Sequence, residues 1–270
     1  MRAEYTTKTT FILKLWLVYE YDLHISPVHW SDRGVWKCEV ESNRGVSIQS
    51  IEGLLDVEVP LEEVYVQSDE NSGALVVDEN NEVKIVCQTS PSTPAPSSLT
   101  MFIGTEALKN VQVQTSMLEN NMMRMIGTVK ISKIPRNYND QVVRCVSHWN
   151  GRDKSNKLTK EGRARLNVFF PPSHIRIDTR PVKWNELLVA KCDQGIKGNP
   201  TPQFEWRLNG RALGTGPTIE TKVTKEDDLK TLECVAVHTT FQDAKEIRIR
   251  TDRQIRVECK FQHFGLSVGN

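Results

Sequence analysis

The sequence lacks an excess of charge of either sign, a long apolar run and any close-set pair of cysteines. Lys+Arg number 35 against 34 Asp+Glu, a net charge of +1. A chain so balanced has none of the basic surplus that a dedicated nucleic-acid binder carries. No apolar stretch approaches the ~20 residues needed to cross a bilayer. The best of them, Phe11 to Tyr19, is broken by Lys14 and followed by no small-residue cleavage site, so it is also a poor secretory signal. None of the six cysteines forms a C-x-x-C pair and no paired histidines lie nearby, which excludes a zinc ribbon. There is no G-x-S-x-G elbow, no H-E-x-x-H, no Walker loop and no G-x-G-x-x-G. No enzyme, cofactor, metal site or small-molecule substrate is therefore expected. Gly214-Thr215-Gly216-Pro217 reads as a turn, because proline and the absence of a helical pattern follow the glycines. His24, His29, His148, His174, His238 and His263 are scattered singly and read as surface or hydrogen-bonded core residues. Asp69-Glu70-Asn71 and Asp78-Glu79-Asn80 lack calcium-loop spacing and read as solvated loop acids. No N-x-S/T sequon occurs, since Asn199 is followed by proline.

What is present is a pattern around the cysteines. Val83-Lys84-Ile85-Val86-Cys87 and Leu188-Val189-Ala190-Lys191-Cys192 both alternate with period 2 and end in Cys, as a strand does when it points a sulfur into a core. Val142-Val143-Arg144-Cys145-Val146 and Leu232-Glu233-Cys234-Val235-Ala236 hold the next cysteines, 58 and 42 positions further on. Bridges of these lengths would each close a loop worth roughly 4 kcal/mol on the chain-entropy account. Reduced, buried cysteines are the alternative, and free cysteine is among the most buried residue types. Cys38 and Cys259 have no assigned mates.

The unit repeats. An alternating strand, a polar corner and a Cys-bearing strand recur in Tyr21–Ile25 with Asp32–Val40, in Gly127–Ile131 with Asn139–Val146, and in Ile219–Val223 with Asp228–Val235. In the first, Asp32-x-Gly34-x-Trp36-x-Cys38 resembles the D-x-G-x-Y-x-C signature of immunoglobulin domains. Trp36 stands where that family has the corner tyrosine, Val143 and Leu232 stand there in the other units, and the latter two corners are expected to close by packing alone. Trp206, fourteen residues after Cys192, resembles the family's strand C tryptophan, and Asn209-Gly210 supplies a tight hairpin turn. Met101 holds the equivalent place in the second unit. Prolines in Phe169-Phe170-Pro171-Pro172 and Val59-Pro60-Leu61 read as stiff linkers.

The resemblance implies an all-β fold of tandem immunoglobulin-like sandwiches, one partial and two complete. Residues 1–19 form an uncertain leader or residual strand, 20–59 a partial variable-like domain whose head is missing, 60–169 a second domain, 170–259 a third of I-set type, and 260–270 a tail. It also implies bridges Cys87–Cys145 and Cys192–Cys234, with Trp36 and Trp206 as core residues. The first unit resembles the leading domain of nephrin and kin-of-irre adhesion receptors, and the second that group and the nectin-like molecules. Such receptors stand outside the plasma membrane and bind like or related immunoglobulin-superfamily receptors through sheet faces. Intracellular modules of muscle-filament type and secreted binding proteins share the same strands. Trp149 is the candidate exposed interface aromatic, beside Arg152, Lys154 and Lys157. With Lys160, Arg163 and Arg165 these could meet an acidic protein surface or a sulfated glycan, or simply form a solvated hairpin. In Ile247-Arg248-Ile249-Arg250 the arginines read as charge on an exposed strand that discourages edge pairing.

Overall fold

The computed structural model describes residues 24–41, 47–68 and 75–258. The alternating run before Ile25, the acidic stretch at 69–71, His263, Cys259, the 1–19 segment and the 260–270 tail lie outside these residues, in whole or in part. Strands dominate. β1 (Gly34–Glu41) and β2 (Ser47–Leu55) pair antiparallel as a two-stranded ribbon, with Trp36 opposite Gly53 and Cys38 opposite Ile51.

The next nine strands are β3 (Val64–Ser68), β4 (Leu75–Asp78), β5 (Val83–Thr89), β6 (Ser98–Ile103), β7 (Glu106–Ala107), β8 (Gln112–Met117), β9 (Met123–Ile131), β10 (Val142–Asn150) and β11 (Lys157–Phe169). They form two sheets, β3-β5-β9-β8 and β4-β11-β10-β6-β7. The period-2 pattern decides which side of each strand faces in: Val83, Ile85 and Cys87 are buried while Lys84, Val86 and Gln88 are half-buried. Cys87 is bonded to Cys145 across the layers, their Cα atoms 6.1 Å apart. Met101 pairs in register with Cys145 and is fully buried. Close approach is enforced at Gly162, opposite Cys145 on β11, where an added Cβ would lie 2.2 Å from the carbonyl oxygen of Val64.

Nine further strands repeat the plan: β12 (Ile175–Thr179), β13 (Val182–Lys183), β14 (Leu187–Gln194), β15 (Gln203–Leu208), β16 (Arg211–Thr215), β17 (Thr218–Lys222), β18 (Thr231–Thr239), β19 (Glu246–Gln254) and β20 (Val257–Glu258). The sheets are β12-β14-β17 and β16-β15-β18-β19, and Cys192 is bonded to Cys234 with Cα atoms 6.4 Å apart. Trp206 is fully buried opposite Cys234 and its indole donates to the Gly216 carbonyl at 2.8 Å. Asn209 and Gly210 carry positive φ (50° and 85°) in the β15–β16 turn, the backbone state that a two-residue hairpin demands.

Both units share one wiring rule. The leading strand pairs antiparallel with the bridged strand of one sheet, as β3 with β5 and β12 with β14. The strand after it pairs parallel with the last strand of its unit: β4 with β11, which joins it to the other sheet, and β13 with β20, as a separate two-stranded pair directly after β19. Two packed sheets, the inter-sheet bridge and this parallel pairing make both units immunoglobulin-like sandwiches. Each has its own core, one drawn from residues 61–170 and the other from 175–257.

Candidate protein-interaction faces

Four expectations are corrected by the packing. Trp149 is no exposed aromatic: it is 2% exposed, lies on the inner side of β10 with Val143 and Cys145, and donates its indole N–H to Pro94 O at 2.9 Å. An indole inside a core needs such a partner, and the Pro94 carbonyl provides it. Trp36 is half-buried and belongs to neither core, because the β1–β2 ribbon has no second layer among the described residues; its indole donates to the Asp32 carbonyl at 2.8 Å. The corners of the second and third units are not closed by packing alone. Asn139 Oδ1 accepts the Val168 N–H at 2.9 Å. Asp227 accepts the Thr224 N–H at 2.8 Å and the Lys230 ammonium at 2.9 Å. The Thr224 N–H and then Lys230 hold the Asp227 carboxyl down to about 2.

The acids at 78 and 79 are not solvated either. Asp78 is 6% exposed and accepts backbone N–H bonds from Phe241 and Gln242, while Glu79 takes a two-pronged bond from Arg136, both distances 2.7 Å. Among the described residues no group of three ligating side chains could hold a metal, and no helix is long and apolar enough to cross a membrane.

The basic residues near the β10–β11 turn separate. Arg152 is tied to the segment preceding β3: its side chain pairs with Asp56 and its N–H reaches Glu58 at 2.6 Å. Lys154 is exposed at a positive-φ turn position. Register places Lys157, Thr159, Glu161, Arg163 and Arg165 opposite Asn150, His148, Val146, Arg144 and Val142, all on the outward face; Lys160 pairs with Ser147 and faces the other way. On that outward face Arg144 lies over the Phe102 ring, 5.0 Å from its centroid, and approaches Glu161 at 3.8 Å. Arg163 also reaches Glu161, at 2.7 Å, so two guanidinium groups share one carboxylate. His148 and the Thr159 hydroxyl are 2.8 Å apart. Alternation in Val142–His148 was sufficient to put Arg144 and His148 on the face opposite Cys145, and alternation in Leu99–Ile103 to put Phe102 opposite Met101. Attention to charge clusters along the chain passes over them.

On the corresponding face of the third unit the arginines are paired internally. Arg248 forks onto Glu205 at 3.2 Å on both arms and meets Glu246 at 3.3 Å; Arg207 approaches Glu205 and Arg250 approaches Glu233. Val235 and Val237, which point to this side, are buried nonetheless, as long side-chain stems can make them. The arginines of β19 thus build a charge ladder besides guarding an edge.

No protein-family model matches the sequence, and no curated protein matches it. Solved structures with similar folds include the first two domains of Rst (14% identity, TM-score 0.45, covering 73% of this chain and 100% of that one). Bovine butyrophilin (12%, TM-score 0.36, 71% and 98%) and a marsupial T cell receptor (14%, TM-score 0.31, 74% and 99%) are also similar. At these identities the likeness is one of architecture, and the fold assignment rests on the strand order, the bridges and the parallel pairing with the last strand.

Proposed function

We propose that this chain is a non-enzymatic recognition protein of the immunoglobulin superfamily, with residues 60–169 and 170–259 as consecutive domains after a variable-like portion at 20–59. The reading extends to cell–cell adhesion on the extracellular side of the plasma membrane, with a like or related immunoglobulin-superfamily receptor as partner. The outward face of the β4-β11-β10-β6-β7 sheet makes the contact. One observation carries this choice of face: Arg144 sits stacked on Phe102 and shares Glu161 with Arg163, in the middle of an open sheet. Arginine and aromatics are the side chains most enriched where interfaces concentrate their energy. The third unit's face has already spent its charges on itself. Two bridged cysteine pairs suit an oxidising compartment.

Beads coated with the chain test the homophilic form, and beads mixed with cells displaying kin-of-irre or nectin-like receptors test the related-receptor form. Arg144→Ala with Phe102→Ala is expected to weaken binding by about 30-fold, the size of a ~2 kcal/mol hot spot. Arg248→Ala is expected to leave it within about twofold. Binding that ignores the first pair removes this choice of face, and beads that neither cluster nor bind those cells remove the adhesion reading. Peptide mapping without reductant that finds free thiols at Cys87, Cys145, Cys192 and Cys234 removes the extracellular one.

A further inference from the structure

The junction between the two sandwiches is tied on both sides. On one, Phe170 and Asn199 exchange backbone bonds of 2.8 and 2.9 Å, and the Asn199 side-chain amide reaches Asn139 Oδ1 (3.0 Å), Asn167 Oδ1 (2.7 Å) and Val168 O (2.7 Å). On the other, the Asp78 carboxylate at the end of β4 accepts the N–H groups of Phe241 (2.8 Å) and Gln242 (3.0 Å) in the β18–β19 turn. Asn81 bonds the Gln242 side chain, and the Phe169 and Phe241 rings meet edge to face at 5.5 Å.

His238 lies within this joint. It is the last inward position of β18 after Leu232, Cys234 and Ala236, it is 2% exposed, and neither ring nitrogen has a hydrogen-bond partner of sound geometry. An imidazole in that state tolerates neutrality and resists charge. Burial pushes its pKa below the ordinary 6.5, with the Asp78 carboxylate and the Pro200 backbone opposing but not reversing the shift. Asp78 is itself committed to the two turn N–H groups. Other charges around the joint are engaged elsewhere: Glu79 with Arg136, Asp243 with Thr240, and Glu205 and Glu246 with Arg248 on the outer sheet face. Lys245, in the same turn, acts on Asp243, whose carboxyl the Thr240 hydroxyl, the Lys245 N–H and the Lys245 charge all hold down.

We propose that the joint is a proton-gated hinge, held while the His238 ring is neutral and released when solvent delivers a proton to it. Release means parting of the 240–242 turn from Asp78, which gives the charged ring access to water. The sign follows from linkage. A group whose pKa is depressed in the closed form binds fewer protons there, so closure is strongest above pH 6.5 and weakens as pH falls through that value towards the closed-form pKa. At pH 5.5, about one unit below the ordinary value, the open form is protonated about ten to one. The opening equilibrium is therefore larger than at pH 7.5, by up to about tenfold, the limit set by the proton uptake of the open form. This inference is independent of which partner the sheet faces bind.

The test uses the whole 270-residue chain. Ring resonances of His238 are titrated by NMR, and amide exchange at Phe241 and Gln242 is measured at pH 7.5 and 5.5 after correction for the chemical exchange rate. The expected results are titration below 6.5 and a rise in exchange of up to about tenfold in the wild type, with a flat response in His238→Phe. If that variant does not fold, His238→Gln replaces it and the wild-type titration decides alone. Titration of His238 at or above 6.5, unchanged wild-type exchange, or the same rise without the histidine overturns the proposal.

Discussion

Replacing Trp206 with Ala should unfold the third sandwich at far lower denaturant than the second. The side chain is fully buried against the Cys192–Cys234 bridge and carries one hydrogen bond, from its indole to Gly216 O at 2.8 Å. Deleting a core indole costs about 3–5 kcal/mol through lost transfer energy and the cavity left behind. The orphaned carbonyl adds up to about 1–3 kcal/mol unless water enters the space. A domain of this size is stable by only about 5–15 kcal/mol, so much of its margin is removed. With a urea dependence of about 1–3 kcal/mol per molar, the midpoint falls by about 1 M or more. Trp206→Phe separates the two contributions: it keeps most of the bulk and drops the bond, and should cost about 1–2 kcal/mol. The assay is urea unfolding without reductant, followed by NMR amide resonances, in which Val143 reports on the second core and Leu232 on the third. Because each sandwich has its own core, only one transition should move. A midpoint shift below about 0.5 M for Trp206→Ala, or equal movement of both transitions, would refute the assignment of Trp206 as the third core's centre.

Gly162→Ala should destabilise the second sandwich by about 1–3 kcal/mol, because the new methyl meets the Val64 backbone rather than a side chain that can yield; the second transition in the same urea experiment reads this, with the third as control. Asp227→Asn should cost about 1–2 kcal/mol at neutral pH. The wild-type carboxylate, depressed to about 2, contributes stability that is present above about 3.9 and lost as pH falls through about 2; acid unfolding of the third unit should therefore flatten in the variant. Iodoacetamide applied to the native, unreduced protein should label Cys38, which is exposed and free, and leave Cys87, Cys145, Cys192 and Cys234 untouched; peptide mass spectrometry checks this. Cys192→Ala with Cys234→Ala should lower third-unit stability by about 4 kcal/mol on the chain-entropy account of a 42-residue separation.

Strand identity and facing were legible because a period of two is a local property: five residues around Cys87 or Cys192 suffice to say which side is buried. The Asn209-Gly210 turn was legible for the same reason, since positive φ is a property of the residues themselves. The corners and the joint were not. Val143 and Leu232 at the tyrosine position gave no hint that Asn139 and Asp228 would accept the N–H groups of Val168 and Val257, because a side chain's partner there is fixed by the path of the last strand. Asp78 looks like any loop acid in sequence, and its two N–H partners lie 163 and 164 positions away. Trp149 beside a run of basic residues looks like an interface, yet parity with Cys145 on β10 already placed it inward. That signal was present and was outweighed by proximity to charge.

The difference between the two outward faces follows from how each sheet distributes its charge. On the third unit, Glu205, Glu233 and Glu246 are matched by Arg207, Arg248 and Arg250, so a partner would have to break pairs before making new ones, at a desolvation cost exposed pairs do not repay. On the second, Arg144 and Arg163 converge on Glu161 alone, Lys157 is exposed at the end of the same face, and Phe102 offers an apolar platform beneath Arg144. An acidic group approaching there gains a guanidinium without stripping a full pair. If the proposed hinge also sets how that face is presented, the state of His238 would be coupled to access at β6, β10 and β11. If that coupling holds, Arg144-dependent binding should weaken or strengthen between pH 7.5 and 5.5 in the wild type and stay constant in His238→Phe. A pH response of equal size in both would leave the hinge and the face as separate features.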